Sequence, residues 1–332
     1  MTNKVVPAEK SHSRIVKALS GLGPLLGLIF VFVLFGVLSP SAFASFYNIK
    51  TILTQSVIVG IAALGMTFVI ISEGIDLSVG SMIALGTVVI AMILNLGEPT
   101  TALIVLAALG GILACGIMGW LNGFLIAQFK IVPFIVTLGT MQIARGIAKW
   151  IAREQTISAP ITPLNDLMLV DPTPAWLVFA PGIWIGLLLL GVSILLLVRT
   201  VFGRHVYAIG SNEQTARLCG VKVNKRKIQI YTLCGILTGI AALMQYANLT
   251  VGDPTAAVGL ELDIIAAVVI GGASLSGGEG SATGSLIGAL IMAVLRNGCN
   301  MLGVPNYVQE IIIGSIIVGA VLVDQLKHRV KK

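Results

Sequence analysis

Two acidic residues between long apolar runs are the side chains whose position best suggests chemistry. Glu73 and Asp76 stand in the stretch EGIDLS, with apolar segments on both sides. Acids near the end of a membrane helix can relay protons or coordinate ions. The same stretch can begin a helix instead, because Asp76 and Ser78 have side chains that accept hydrogen bonds from a first helical turn. We expect the helix-capping role.

The sequence contains no recognisable catalytic motif. It has no G-x-x-x-x-G-K-[ST] phosphate loop, no H-E-x-x-H metal site and no G-x-S-x-G nucleophile elbow. The four cysteines lack metal or disulfide spacing and are expected to be small apolar packing residues. GGEGSATG, at 277–284, predicts a tight turn rather than a nucleotide cradle. We therefore expect no enzymatic activity, and no metal or cofactor bound by this chain.

Composition places the chain in a membrane. Hydrophobic residues make up 56% of the sequence, charged residues only 11%, and the mean hydropathy is +0.99. A helix needs about 20 apolar residues to cross about 30 Å of hydrocarbon, and several runs are that long. We predict an all-α, polytopic membrane protein with ten membrane segments, of which the eighth is short: 21–38, 51–72, 79–96, 101–127, 134–152, 176–198, 228–249, 262–275, 285–302 and 307–323.

The basic residues predict how these segments are oriented. Sixteen of the 21 lysines and arginines fall on the side that holds both termini, Lys130 and the basic loop 199–227. Because basic residues favour the cytoplasmic side, both termini are expected there, and no nucleic-acid partner is needed to explain the net charge of +7. The prediction is a tail at 1–20, a transmembrane domain at 21–323 and a second tail at 324–332.

Three of the remaining basic residues follow one helix face. Arg145, Lys149 and Arg153 recur every four residues and climb toward the predicted outer surface. Long basic side chains commonly reach into the headgroup layer, which would make membrane lipid their partner. The alternative is a cationic rim on which a ligand or a docking protein binds.

A short motif occurs twice and suggests an internal repeat. EGIDLS at 73–78 and GLELDI at 259–264 each combine glycine, an acid and an apolar–Asp–apolar triplet before an apolar segment. By the count of segments, the first lies at the cytoplasmic face and the second at the outer face. Recurrence at opposite faces predicts an inverted repeat, in which segments two to five mirror segments seven to ten, as in many transporters.

The basic loop 199–227 predicts a short helix outside the lipid. Ser211 and Gln214 have the spacing of a capping box, Glu213 suits the positive end of a helix, and Gly220 suits the position after the last turn. We predict a helix at 212–219. A helix this short is unstable alone in water, so it must pack on its own membrane domain or on a partner.

Four blocks of the sequence carry a resemblance to a known family. GMTFVIISEGIDLSVGS, PFIVTLGTMQIARG, GRHVYAIGSNEQTARLCGV and ELDIIAAVVIGGASLSGGEGSATGSLIGALI occur in this order between Gly65 and Ile291. In these blocks the chain resembles the permease subunits of bacterial ATP-binding-cassette sugar importers, the group that carries ribose, xylose, arabinose and galactosides. That resemblance also extends to the C-terminus.

The resemblance implies partners and a coupling role for the short helix. The partners would be an ATPase subunit that holds ATP and Mg, a periplasmic sugar-binding protein, and a second permease, identical or a sister subunit. The helix would be the coupling helix that docks in a cleft of the ATPase. Its expected coupling residues are Ser211, Asn212, Glu213, Gln214, Ala216, Arg217 and Gly220.

The expected function is transport of a monosaccharide across the bacterial inner membrane, driven by ATP hydrolysis on a separate subunit. Isolated amides and hydroxyls in apolar helices face either a polar path or a neighbouring helix. The candidates for lining the path are Asn122, Thr137, Thr140, Gln142, Asn297 and Asn300. The alternative is a proton- or sodium-coupled secondary transporter of a small polar solute, with Glu73 or Asp76 as its coupling acid.

Overall fold

The structure is a computed structural model that describes residues 9–39 and 43–330. Within these ranges the chain forms twelve α-helices: α1 (Glu9–Leu38), α2 (Phe46–Ile71), α3 (Val79–Leu94), α4 (Thr101–Phe129), α5 (Pro133–Ala152), α6 (Pro181–Arg199), α7 (Val201–Ser211), α8 (Glu213–Leu218), α9 (Val223–Leu249), α10 (Leu260–Ile270), α11 (Ala282–Met301) and α12 (Asn306–Val330). Two-residue strands β1 (Ile157–Ser158) and β2 (Val251–Gly252) pair antiparallel, and 3₁₀ turns occupy Asn165–Met168 and Ala175–Leu177. The all-α prediction is confirmed. Of the predicted tails, residues 1–8 and 331–332 lie outside the described ranges.

The membrane helices differ in length. Within the described residues, five are long and apolar enough to cross a membrane, namely α2, α4, α6, α9 and α11. Helix α3 has 16 residues and α10 has 11, which is roughly 24 and 16 Å at 1.5 Å per residue. Both are shorter than about 30 Å of hydrocarbon, so the third and eighth predicted segments are partial crossings.

Two contacts fix the directions of α2 and α3. The N–H of Gly278 donates to the carbonyl of Ile71 at 2.9 Å, which places the end of α2 beside the basic loop 199–227; we call this the basic end. The side-chain amide of Asn95, just after α3, donates to Ser158 O at 2.7 Å beside the β1–β2 pair; we call this the opposite end. Helix α3 therefore ends where α2 begins.

The starts of α3 and α10 meet inside the bundle. Gly80, in the first turn of α3, has its Cα against the carbonyl of Ala257 and the carboxylate of Glu261. The motif 73–78 thus runs inward from the basic end, while the segment after β2 runs inward from the opposite end. The prediction that GLELDI lies at the outer face is wrong, because α10 begins in the interior and continues toward the basic end.

Helix packing repeats between two sets of helices, as an inverted repeat requires. Helices α2 and α9 pack against each other at the centre. The first set is α2 to α5 and the second is α9 to α12. In the first set, α3 packs on α4 and α5; in the second, α10 packs on α11 and α12 in the same way. Between the sets, α4 packs on α9 and α11 packs on α2. Each partial helix is therefore enclosed by the same kind of neighbours, which shields its broken backbone from lipid.

Glycines bring α4 and α9 into backbone contact. The Cα of Gly119 lies against the carbonyl of Tyr231 and the backbone of Gly235, and Gly123 lies against Ile228. Cys115 donates its thiol to Met82 O at 3.1 Å in the same region. Small residues permit this close approach. Because lipid is as apolar as the side chains, no hydrophobic effect drives the helices together, and van der Waals packing between them stabilises the contact instead. The packing role predicted for the cysteines holds for the three buried ones, whereas Cys219 is exposed at the basic end.

Candidate functional site

The short helix of the basic loop is α8, and its N-cap is Asn212. The backbone of Asn212 is extended, and its side-chain oxygen accepts the N–H of Thr215 at 2.7 Å. The predicted capping box between Ser211 and Gln214 is wrong, because Ser211 is the last residue of α7 and already has helical geometry. Both residues are good caps, so the sequence pattern could not choose between them.

Helix α7 was missed by the sequence analysis. Thr200 caps it by accepting the N–H of Gly203 at 3.1 Å, and its buried side includes Val206 and Ile209. The signal was present, because Phe202, Val206 and Ile209 have the i, i+4, i+7 spacing of an amphipathic helix. Because the loop contains seven basic residues, the stretch was interpreted as a solvent-exposed connection and the helix was not predicted.

The end of α8 follows the prediction. Gly220 has φ +84°, a left-handed conformation that other residues reach only at a cost. The N–H of Val221 donates to Ala216 O and the N–H of Gly220 donates to Arg217 O, each at 3.1 Å. These bonds satisfy carbonyl groups of the last turn, as in a Schellman motif. The predicted position of Gly220, just past the last turn, is confirmed.

Helix α8 packs on its own membrane domain through Ala216. This residue is buried in a small apolar cluster with Ile209 of α7 and Val223 of α9. Ala216, one of the expected coupling residues, therefore faces its own membrane domain. The outward face includes Leu218, which is 88% exposed and which the sequence analysis did not select. Gln214 and Arg217 are exposed beside it.

Glu213 forms two charge pairs, one within α8 and one to α9. The two carboxylate oxygens of Glu213 accept from Arg217 Nη2 at 2.9 Å and from Lys227 Nζ at 2.6 Å. Partial burial acts to raise the pKa of the Glu213 carboxyl, but the hydrogen bonds and charges of Lys227 and Arg217 outweigh it, so the pKa lies below its usual value. Lys227 belongs to α9, and this bond therefore ties α8 to a membrane helix.

Helix α7 contacts the membrane domain through backbone atoms at Gly210. The Cα of Gly210 lies against the carbonyl of Ile71, at the end of α2, and against Gly278. The hydroxyl of Tyr207 donates to Gly280 O at 2.8 Å. Gly277, Gly278 and Gly280 all have positive φ, which confirms the predicted turn in GGEGSATG. Helix α7 thus touches both α2 and the turn before α11, with no side chain between Gly210 and Ile71.

The acidic motif forms a turn at the entry to α3. Asp76 is buried, and its Oδ1 accepts the N–H of Ser78 at 2.9 Å and the hydroxyl of Ser78 at 2.5 Å. Asn122 Nδ2 of α4 donates to Ser78 Oγ at 2.9 Å. Neither Asp76 nor Ser78 caps an N–H inside α3, so the capping prediction holds only as a turn before the helix. Glu73 is exposed at the basic end.

The predicted path residues do not meet in one place. Four of them are buried and bond within the domain: Asn122 to Ser78, Thr137 to Ile75 O, Thr140 to carbonyls of its own helix, and Asn297 to Asn48 at 3.0 Å. Gln142 is exposed on α5. Asn300 lines a polar cavity.

That cavity, which we call the polar cleft, lies between α2, α9, α10 and α11 and has a volume of about 420 Å³. Arg296 donates to Asp263 Oδ2 from Nε at 2.8 Å and from Nη2 at 2.5 Å. Asn300 Oδ1 accepts from Gln309 Nε2 at 2.8 Å. The polar lining is Gln55, Gln245, Asn248, Asp263, Arg296 and Asn300.

Sequence reasoning missed five of these six lining residues. A signal did exist for the ion pair, because Arg296 is one of the five basic residues off the cytoplasmic side and Asp263 belongs to the repeated motif. Opposite charges in two apolar segments predict a pair inside the membrane. Nothing in the sequence places Gln55 or Gln245 beside them, because that requires the packing of four helices.

The predicted basic stripe is divided in the structure. Arg145 is partly buried, and its Nη1 donates to Pro254 O at 2.9 Å and to Ala256 O at 2.7 Å. It is therefore held inside the domain, where it fixes the segment that enters α10. Lys149 and Arg153 are exposed, and Arg153 ends α5 with φ 50°.

Partial helices that meet inside a bundle, a polar cleft beside them and an anchored basic loop define a polytopic membrane permease. The family model described as "Branched-chain amino acid transport system / permease component" matches residues 48–321, and the chain belongs to this permease family. This is a family of transporter subunits and not of enzymes, and the protein is a multi-pass membrane protein.

The chain is similar to permeases of sugar importers. It is 40% identical to the ribose import permease protein RbsC of Escherichia coli K12, over 92% of this chain and 93% of that protein. The RbsC protein of Bacillus subtilis 168 is 38% identical, over 98% and 99%. The L-arabinose ABC transporter permease protein AraH of Azospirillum brasilense is 36% identical, over 92% and 89%. No solved structure matches the chain.

Proposed function

We propose that this chain is the membrane-spanning subunit of an ATP-driven importer of a monosaccharide. Its partners are an ATPase subunit that binds ATP and Mg, a periplasmic sugar-binding protein and a second permease, identical or a sister subunit. The names of two relatives, ribose import permease and L-arabinose ABC transporter permease, support both the sugar and the energy source. The absence of a phosphate loop from this sequence supports a separate ATPase.

The proposed orientation puts the basic end in the cytoplasm of a bacterial cell, with the polar cleft toward the outside. The bias of lysine and arginine toward the basic end supports it. In this orientation α8 faces the compartment in which ATP is available. Sugar delivered by the binding protein would reach the opposite end.

The observation that carries the proposal is the way α8 is anchored. One side is fixed to the membrane domain by Ala216 and by the Glu213–Lys227 bond, while Leu218 projects outward. An 88% exposed leucine in an aqueous loop gains about 1.5–3 kcal/mol when a partner buries it. A fixed apolar projection at the cytoplasmic face is suited to transmit the movement of a docked ATPase.

The test is Leu218→Asp in a complex purified through its ATPase. An aspartate cannot enter an apolar pocket without losing its hydration, so less permease should copurify with the ATPase. ATP-dependent uptake of radiolabelled D-ribose or L-arabinose into proteoliposomes should fall with it. Leu96→Asp is the matched control, because Leu96 is also exposed but lies near the opposite end, and the ATPase should still copurify.

Two results would contradict the proposal. Normal copurification and normal uptake by the Leu218→Asp complex would show that α8 is not the docking element. Uptake that needs no ATPase and stops when an ionophore collapses the ion gradients would instead support the secondary-transporter alternative.

A further inference from the structure

The polar cleft holds an ion pair at membrane depth. Arg296 lies roughly 21 Å along α11 from its start at the basic end. Asp263 is in the first turn of α10, the helix that begins inside the bundle. Charged groups at this depth are costly, and they are expected to face a water-filled cavity and to mark a substrate pathway.

The ion pair is not needed to join α10 to α11. The backbones of these helices already touch, because Gly288 lies against Ala267 O and Gly284 lies against Gly271 O. An apolar pair of similar size often replaces a buried ion pair with no loss of stability. Hydrophobic side chains would pack α10 against α11 equally well. Packing therefore does not explain the two charges, which point to a role in the cleft.

The lining supplies hydrogen-bond donors and acceptors together. Both bonds from Arg296 go to Oδ2 of Asp263, and among the described residues no hydrogen bond involves Oδ1 of Asp263 or Nη1 of Arg296. Amide side chains, which both donate and accept, complete the wall: Gln55, Gln245, Asn248 and Asn300. A sugar hydroxyl also both donates and accepts, so this mixed lining fits a polyol better than an ion of either sign.

We propose that the polar cleft is a weak transit site for the sugar, in which hydroxyl groups bind Asp263, Arg296 and the amide wall. This inference rests on the proposed function. Because each charged group is already bonded to the other, a hydroxyl must compete with the ion pair and is held loosely. A site on a transport path needs this balance, since the substrate has to enter and also leave.

The test compares two double variants in the intact complex, reconstituted in proteoliposomes with its ATPase and binding protein. Asp263→Leu with Arg296→Met makes the cleft apolar but keeps its packing. Uptake of labelled D-ribose or L-arabinose should fall about tenfold, because hydroxyls would lose their partners. Asp263→Asn with Arg296→Gln keeps donors and acceptors, and should lower uptake clearly less than the apolar pair does. Copurification with the ATPase and the thermal midpoint should be unchanged in both.

The control is a polar pair on α2 and α11 away from the cleft. Thr67 Oγ1 and Ser285 Oγ are hydrogen-bonded at 2.7 Å and fully buried, so Thr67→Val with Ser285→Ala should leave uptake near normal. Should the apolar double variant fail to assemble, Gln245→Leu with Asn248→Leu removes the amide wall and leaves the ion pair intact. This variant should also lower uptake about tenfold, for the same lack of hydrogen-bond partners.

The outcomes separate the two proposals. Normal uptake by an assembled complex with an apolar cleft would overturn the transit site, while ATP-driven sugar uptake would still stand. A wild-type complex that takes up neither sugar when ATP is supplied would overturn the proposed function, and the cleft would lose its proposed substrate with it.

Discussion

At the residue scale, substitutions of Asp76 distinguish ATP-driven transport from ion-coupled transport. Asp76→Asn keeps the side-chain oxygen that accepts the bonds from Ser78 and removes the titratable group. An ATP-driven permease should therefore keep uptake within about twofold, with no new dependence on external pH. Asp76→Leu removes the buried acceptor and should lower the free energy of unfolding by about 1–3 kcal/mol.

The measurement for Asp76 is uptake in vesicles at several external pH values, with the amount of inserted protein checked in parallel. Loss of all uptake by a normally inserted Asp76→Asn protein would indicate that the carboxyl takes part in energy coupling. That result would favour the secondary transporter.

Gly210 is the residue at which we expect the smallest change to have the largest effect. A Cβ there would overlap the carbonyl of Ile71, and two backbones cannot separate without displacing α7. Gly210→Ala should therefore lower the free energy of unfolding by about 1–3 kcal/mol, as in other overpacked sites. It should also reduce uptake per ATP hydrolysed. Gly191→Ala is the control, because Gly191 on α6 has no neighbour that a Cβ would touch.

Thermal unfolding in detergent and the ratio of uptake to ATP hydrolysis in proteoliposomes measure both effects of Gly210→Ala. Equal thermal midpoints for Gly210→Ala and Gly191→Ala would show that α7 can move freely against α2, contrary to the observed contact.

At the element scale, α8 has an inner and an outer face that two substitutions should distinguish. Ala216→Arg places a charge in the apolar cluster with Ile209 and Val223, so α8 should detach from the membrane domain. Leu218→Asp changes only the exposed face and should leave the helix in place. Limited proteolysis at 212–221 checks this difference, and Ala216→Arg should be cleaved much faster than wild type or Leu218→Asp. Equal cleavage of the two variants would contradict the packing of Ala216.

The sequence predicts the position of α8 well, but not which of its residues face the membrane domain. Gly220 marks the end of α8, because few residues adopt a left-handed backbone without strain. Which residue faces inward depends on α7 and α9, and α7 was not predicted. Tertiary contacts therefore place Ala216, an expected coupling residue, on the inner face and expose Leu218, for which no role was expected.

The same limit explains the partial helices. Apolar runs at 79–96 and 262–275 identify membrane segments, but hydropathy does not show where in the membrane a segment begins. Asp76 and Glu261 look like residues at a surface, yet Asp76 is buried and the half-buried Glu261 has its carboxylate against Gly80 of α3. A polar residue is tolerated at membrane depth where other protein groups surround it.

At the scale of the whole molecule, the orientation in the membrane can be tested with a native cysteine. Cys219 is exposed at the basic end, whereas Cys115, Cys234 and Cys299 are buried. A maleimide that cannot cross the membrane should therefore leave the wild-type protein unlabelled in spheroplasts and should label it after permeabilisation. In a Cys219→Ser background, Asp166→Cys should be labelled without permeabilisation, because Asp166 is exposed in the long loop between α5 and α6. Labelling of Cys219 in sealed spheroplasts would place the basic end outside, where no ATP is available to a docked ATPase, and the proposed direction of transport would be wrong.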